Sequence, residues 1–351
     1  MNDFSAVDTR INRLTPADAS GARSLGKQLQ GYGTPVLVRS VFELLATIVP
    51  FILLWAVICV CTLAGFYPAL IFSIPAAGFL LRLFIIQHDC GHGAFFASRR
   101  TNDWLGHCLG VLTMTPYAVW RRAHARHHAT SGNLDQRGIG DIDTLTVAEF
   151  RSLPPWRRRF YRIYRHPAVM FGLGPAYLFL LRHRLPVGQM RMGWKPWGSA
   201  MLTNAAFLAV ALLLSYTIGL GAFIIVHLPI LLLAASMGVW LFFVQHQFEE
   251  THWAESTRWT FHTAALHGSS FYVLPPILHW FSGNIGYHHI HHLVSRIPFY
   301  RLAEVTNDHP ELQSVGRVSV RQSLRGARLA LWDEAQQKLV TFRTAEISCS
   351  R

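Results

Sequence analysis

The chain has 351 residues, of which 51% are hydrophobic and only 15% charged, where about a quarter charged is usual for a soluble domain. Together with a mean hydropathy of +0.25, this excludes an ordinary soluble domain and places the chain among membrane proteins. The formal charge of +13 is no argument for nucleic acid, because basic residues beside membrane spans are expected on the cytoplasmic side.

Residues 1–35 are polar and carry no short apolar core with a cleavage site, so a signal peptide is not expected and the N-terminus reads as cytoplasmic. From Leu44 to Leu81 there is no Asp, Glu, Lys or Arg. That run is long enough for two spans of about 20 residues each. Gly65-Phe-Tyr-Pro68 supplies the turn between them. The pattern predicts spans near 42–63 and 67–87, with Arg82 snorkelling to the headgroups from the end of the second.

Residues 88–197 read as cap and interface. Two apolar stretches there, Trp104–Trp120 and Pro167–Leu181, are short for a span and suit helices lying in the interface. A second charge-free region runs from Pro196 to Phe248, with Gly219-Leu-Gly221 as its turn. It predicts spans near 198–218 and 222–245, the last kinked at Pro229. Residues 82–195 carry 17 Lys or Arg against 6 Asp or Glu, while the links at 64–67 and 219–221 carry no charge. The positive-inside rule then puts the central loop and both termini in the cytoplasm. Beyond the spans, Ser319–Phe342 reads as an amphipathic cytoplasmic helix. The five cysteines, Cys59, Cys61, Cys90, Cys108 and Cys349, show no metal or disulfide spacing and read as reduced thiols.

Three histidine clusters sit beside the span ends. They are His88-Asp-Cys-Gly-His92, His124-Ala-Arg-His127-His128 and His288-His-Ile-His291-His292. Each helical residue turns about 100°. His88 and His92 are therefore neighbours one turn apart, and His124, His127 and His128 lie within a single arc that can aim at one point. His288, His291 and His292 repeat the spacing of the second cluster, which leaves His289 as packing or support. Four spans bring all three clusters to one membrane face, as a shared metal site requires. Chance clustering explains one such pair but not three on one face. Imidazoles suit Zn, Cu, Fe or Ni. Their number exceeds one tetrahedral zinc site of about four ligands, so two metals fit the count, with iron preferred for dioxygen chemistry.

The stretches HDCGH, HARHHATSGNLD, FFVQHQFE and GNIGYHHIHHLVSRIPFYRL together resemble the membrane fatty acid desaturases, in particular the bacterial and cyanobacterial acyl-lipid type. The resemblance implies an all-α integral membrane protein, with four transmembrane helices in two hairpins and a cytosolic helical cap holding a histidine-box di-iron site. It implies two iron ions (Fe2+/Fe3+), O2 as co-substrate, an acyl-lipid substrate, and a separate electron donor. That donor is ferredoxin-like, or cytochrome b5-like with a reductase, since spans, cap and tails use the whole chain.

By position, His88, His92, His124, His127, His128, His288, His291 and His292 match the family's metal ligands, with no catalytic residue beyond them. His246, at the end of the fourth span, is the candidate for the family's additional histidine, and Asn284 a weaker one. His262 or His267 is the alternative to His246 for that role. Asp89, Asp135, Asp141, Asp143 and Glu249 are candidates to orient ligating imidazoles. Phe95, Phe96, Trp120 and Trp280 are candidates to line an acyl tunnel. The implied organisation is a cytosolic segment at 1–40, a membrane desaturase domain at 41–308 and a cytosolic tail at 309–351, in the inner or plasma membrane if bacterial. The implied reaction is a cis double bond introduced at Δ12 or nearby. Two alternatives stay open: a membrane di-iron hydroxylase or ketolase of alkyl or carotenoid substrates, and a non-enzymatic metal transporter. A transporter would place polar ligands within its spans, and here only His227 interrupts them.

Overall fold

The computed structural model describes residues 16–138 and 140–347. Residues 1–15 and Cys349 fall outside that range; the other cysteines are free thiols. After α1 (Pro16–Leu29) come two long helices, α2 (Leu37–Leu63) and α3 (Ser73–His92), the latter led in by a 3-10 turn over Tyr67–Phe72. α4 (Arg99–Leu112) and α5 (Tyr117–Thr130) follow, then β1 (Leu145–Thr146), α6 (Val147–Ser152), α7 (Pro155–Tyr164) and α8 (Gly174–Leu180). The second long pair is α9 (Trp194–Ile218) and α10 (Leu220–His246). The remainder is short: α11 (Phe261–His267), β2 (Phe271–Val273), α12 (Pro276–Phe281), α13 (His288–Leu293), α14 (Leu302–Asp308), β3 (Arg317–Ser319), α15 (Val320–Gly326), β4 (Leu331–Asp333), β5 (Lys338–Val340) and α16 (Phe342–Ile347).

Among the described residues, four helical stretches are long and apolar enough to cross a membrane: Leu37–Leu63, Tyr67–His92, Trp194–Ile218 and Leu220–His246. Each overlaps one expected span, and three begin earlier than charge-free runs suggest. α2 starts at Leu37 because Arg39 and Glu43 form an i,i+4 pair within its first turns. The turns fall where glycine allows a left-handed backbone: Gly65 has φ +77° and Gly219, the sole residue between α9 and α10, has φ +86°. α10 runs unbroken across Pro229. α3 packs against α2 and α10, and α10 also packs against α9. The apolar residues that α2 and α9 leave exposed, such as Leu53, Val60, Leu208 and Leu212, are the surface a bilayer would cover.

Arg82 does not snorkel. Its side chain is 2% exposed, paired with Glu43, which is equally buried. It also donates to Thr47 Oγ1 at 3.2 Å and to the Trp280 carbonyl, and its guanidinium lies over the Trp280 and Phe299 rings at 4.2 and 4.9 Å. A guanidinium kept from water needs a counter-ion and acceptors. Glu43, one residue outside the charge-free run, supplies the first.

The fold is mostly helical rather than purely so. Among the described residues two small sheets join segments outside the four long helices: β4 pairs parallel with β1 and antiparallel with β5, and β2 pairs parallel with β3. The expected helix over Ser319–Phe342 is therefore corrected. Ser319 opens α15 with a capping box to Gln322, but that helix ends at Gly326. The apolar run after it, Leu329-Ala-Leu-Trp332, is buried on all sides, which favours a strand in a sheet over one face of an amphipathic helix. The β2–β3 sheet positions the helix that carries the third histidine cluster. Ser270, just before β2, offers its carbonyl to the His288 amide at 3.2 Å, and Phe271 bridges to Tyr287. The sheet thereby fixes the start of α13.

Candidate metal centre

The last turn of α3, the C-terminal half of α5, the last residue of α10 and the whole of α13 converge. Nine histidines meet there in two groups, each with its nitrogens within 4.8 Å of one another. The first group holds His88, His92, His124, His128 and His291; the second holds His127, His246, His288 and His292. The partition follows helix geometry. Residues one helical turn apart face alike, whereas adjacent residues point about 100° apart. α5 therefore sends its i,i+4 pair, His124 and His128, to the first group and His127 to the second. α13 does the reverse, sending His288 and His292 to the second and His291 to the first. The expectation that each triplet aims at one point is corrected accordingly: each serves two points side by side.

The hydrogen-bond geometry tests whether this donor set fits metal ions. In the first group His92 and His124 approach Nε2 to Nε2 at 3.1 Å, His124 and His128 at 3.1 Å, and His128 and His291 at 3.2 Å. In the second, His246 Nε2 lies 3.0 Å from both His127 Nε2 and His288 Nε2. A neutral imidazole carries one donor and one acceptor nitrogen. His246 Nδ1 faces the Gly268 carbonyl at 3.3 Å, and His127 Nδ1 faces the Asp141 carboxylate. With Nδ1 turned to an acceptor in both rings, Nε2 is the atom each offers to a metal, and a cation held by both would be coordinated there. Burial holds the imidazoles of His124, His128, His288, His291 and His292 well below their usual 6.5, and neighbouring imidazoles add to the effect. They are neutral and able to bind metal near pH 7.

Two of the five candidate carboxylates reach these rings. Asp141 holds His127 as above. Asp89 sits 3.3 Å from His88 Nδ1 through Oδ1, and its Oδ2 accepts from the Phe299 amide at 2.7 Å. Asp135 instead accepts from the Ser256 amide at 2.8 Å, and Glu249 pairs with Lys338 at the surface. The Asp143 carbonyl accepts from Arg165 at 3.2 Å, and its carboxylate reaches no box histidine through any hydrogen bond among the described residues.

His289 is buried, with Nε2 on the Leu312 carbonyl at 3.0 Å. His262 packs on Phe261, while the His267 carbonyl accepts from the His252 amide. His107 packs on Tyr117, and His279 stacks on Tyr287. None of these joins either group. Asn284, with φ +54°, donates to the Phe299 carbonyl at 3.3 Å.

Sequence reasoning missed the supports that are backbone or distant: the Gly268 carbonyl, the Phe299 amide, and Phe242, whose ring lies 5.1 Å from His127. Among the tunnel candidates, Trp120 stacks on His124 with centroids 4.7 Å apart, and Phe95 packs between Phe96 and Phe299. An apolar cavity of about 150 Å³ lies elsewhere, between α2, α4, α9 and α10, lined by Phe51, Trp55, Leu112, Phe207, Phe223 and His227. None of Phe95, Phe96, Trp120 or Trp280 lines it.

Four helices of membrane length, with two groups of imidazoles able to hold metal ions at one end, define a class: a membrane protein with a histidine-rich candidate metal centre. Comparison with known proteins narrows it. The family model described as fatty acid desaturase matches residues 64–322. The chain is 41% identical to a fatty acid desaturase of Bacillus subtilis, over 92% of this chain and 91% of that one. It is 30% identical to a Synechocystis sn-1 acyl-lipid omega-3 desaturase (ferredoxin), over 69% of this chain and 66% of the other. With a Delta(12)-oleate desaturase of Trichosanthes kirilowii the identity is 25%, over 74% and 72%. The chain belongs to the fatty acid desaturase family, and it is an oxidoreductase of that family.

Proposed function

We propose that the protein is a di-iron acyl-lipid desaturase that introduces a cis double bond with O2 and electrons from a separate carrier. The observation that carries this is the 3.0 Å approach of the His127 and His246 Nε2 atoms, with both Nδ1 atoms on acceptors, mirrored by the Nε2 contacts of the other group. In this reading one iron is held by His88, His92, His124, His128 and His291, the other by His127, His246, His288 and His292. The irons supply the O2-dependent oxidation, which no protein side chain can perform. The chain's own residues orient and exclude. Asp141 and the Gly268 carbonyl keep protons on Nδ1, Asp89 braces His88, and Trp120 and Phe242 wall the rings from water.

α2–α3 and α9–α10 form two membrane hairpins, and the metal end with its cap faces the cytoplasm, as the excess of basic residues between the hairpins favours. The domain limits are 1–40, 41–308 and 309–351, as the sequence pattern sets them. The substrate is an acyl lipid and the donor ferredoxin-like, which the activity named for the Synechocystis relative supports. Desaturation at Δ12 or the neighbouring omega-3 position fits the relatives' names. Expression in a host of simple acyl composition, followed by gas chromatography and mass spectrometry of its fatty acids, tests the reading. New cis double bonds are expected; hydroxylated chains in their place would overturn it in favour of a hydroxylase.

A further inference from the structure

The cap carries an apolar face that nothing among the described residues covers. α7 reads Pro-Trp-Arg-Arg-Arg-Phe-Tyr-Arg-Ile-Tyr. At about 100° per residue, Trp156, Phe160 and Ile163 fall on one narrow stripe, and they are 58%, 69% and 59% exposed. Tyr161 and Arg165, on the opposite side, are buried. Tyr161 donates to the Ala330 carbonyl at 2.6 Å, and Arg165 donates to Gln247 Oε1 and the Leu329 carbonyl, both at 2.8 Å. The helix is thus locked to the cap with its stripe outward. Arg157 and Arg159 are exposed and flank the stripe on its two sides, and the Arg157 guanidinium lies 5.0 Å from the Trp156 ring.

The stripe continues along the chain. Leu173, Tyr177 and Leu181 are 70%, 58% and 62% exposed. The same segment packs Phe171 on Trp240 and Phe243, in the last turns of α10, at 4.8 and 5.2 Å. The outward stripe therefore runs into the flank of a membrane-length helix at its metal-bearing end. An aromatic and aliphatic stripe edged by cations that can snorkel is the pattern of an in-plane interfacial helix, and its arginines complement lipid phosphate.

We infer that α7 lies in the plane of an anionic phospholipid surface, with Trp156, Phe160 and Ile163 among the acyl chains and Arg157 and Arg159 on the phosphates. This rests on the reading that α2, α3, α9 and α10 cross the bilayer. The arrangement clamps the cap to the membrane beside the metal centre.

Site-specific photocrosslinking tests it. A benzophenone amino acid replaces Phe160 in the full-length protein, in nanodiscs of equal phosphatidylglycerol and phosphatidylcholine, with a parallel variant at Leu212, which α9 exposes. Mass spectrometry of the irradiated protein is expected to find lipid adducts at both positions. At 160 the phosphatidylglycerol adducts should exceed phosphatidylcholine several-fold, and R157Q/R159Q should bring the ratio back towards the disc composition. Lipid adducts at 212 with none at 160, adducts at 160 to a second protein chain, or equal capture of the two lipids would each overturn the inference. Absence of lipid adducts at 212 would instead overturn the spanning reading on which it stands.

Discussion

The two histidine groups share two helices yet are held by different means. In the second group, two rings are anchored through Nδ1, His127 by Asp141 and His246 by the Gly268 carbonyl. In the first, His88 alone has a carboxylate on Nδ1, at a long 3.3 Å, and ring packing does more: Trp120 on His124, and His128 over His292 with centroids 4.0 Å apart. The first group is also linked to the buried Arg82–Glu43 pair. Arg82 stacks on Phe299, the Phe299 amide holds Asp89, and Asp89 faces His88. The lesson is that one group is oriented by hydrogen bonds on Nδ1, the other by packing and by a buried ion pair reached through Phe299 and Asp89.

The largest effect separates the groups from their surroundings. His291→Ala in the first group and His288→Ala in the second should each abolish desaturation in the expression assay. His289→Ala, between them in sequence, should keep part of it, because that ring serves the Leu312 carbonyl. Equal loss from all three would contradict the placement of His289 outside both groups.

Next comes the ion pair linked to the first group. Glu43→Leu strands a buried guanidinium and should cost about 3–5 kcal/mol of stability, while the double variant Glu43→Leu/Arg82→Leu should recover most of it. Thermal unfolding in detergent reads both, and no recovery would mean that the pair braces the site through more than its charge. Smaller again is the loss of one anchor. Asp141→Asn should weaken metal binding about 10–100-fold, while Asp135→Asn, whose carboxylate meets only the Ser256 loop, should leave metal titrations unchanged.

How much of this was legible in the sequence depends on what each signal measures. Charge-free runs found the four long helices, since a span needs only length and apolarity. Histidine spacing found the residues of both groups, with His246 coming from the family resemblance. Spacing did not find the partition, although the angle between His127 and His128 contained it. Arg82 was misread because its partner stands 39 residues away, and no local pattern joins positions that meet only after folding. The Gly268 carbonyl and the Phe299 amide left no side-chain signal at all. The strand at Leu331–Asp333 pairs with the nearby β5 as well as the distant β1, and reading an amphipathic helix through Ser319–Phe342 passed over its unbroken apolar run.

The smallest expected effect lies away from both groups. Burial lowers His183 to about 3 and His252 to about 4, with nearby cations adding to the first and His267 to the second. In the unfolded chain these rings take protons near 6.5. Between those values the unfolded chain binds more protons, so the stabilisation is complete above pH 6.5 and is lost as pH falls toward about 4 and then about 3. His183→Gln and His252→Gln should each flatten the decline of Tm between pH 7 and pH 5, and an unchanged slope would assign the decline to other groups.

The paired metal centre is tested most directly by metal analysis of the purified, active protein alongside His127→Ala. Two irons per chain are expected in the unaltered protein, one for each histidine group, with iron lost in the variant. An active preparation holding stoichiometric zinc and almost no iron would contradict the account.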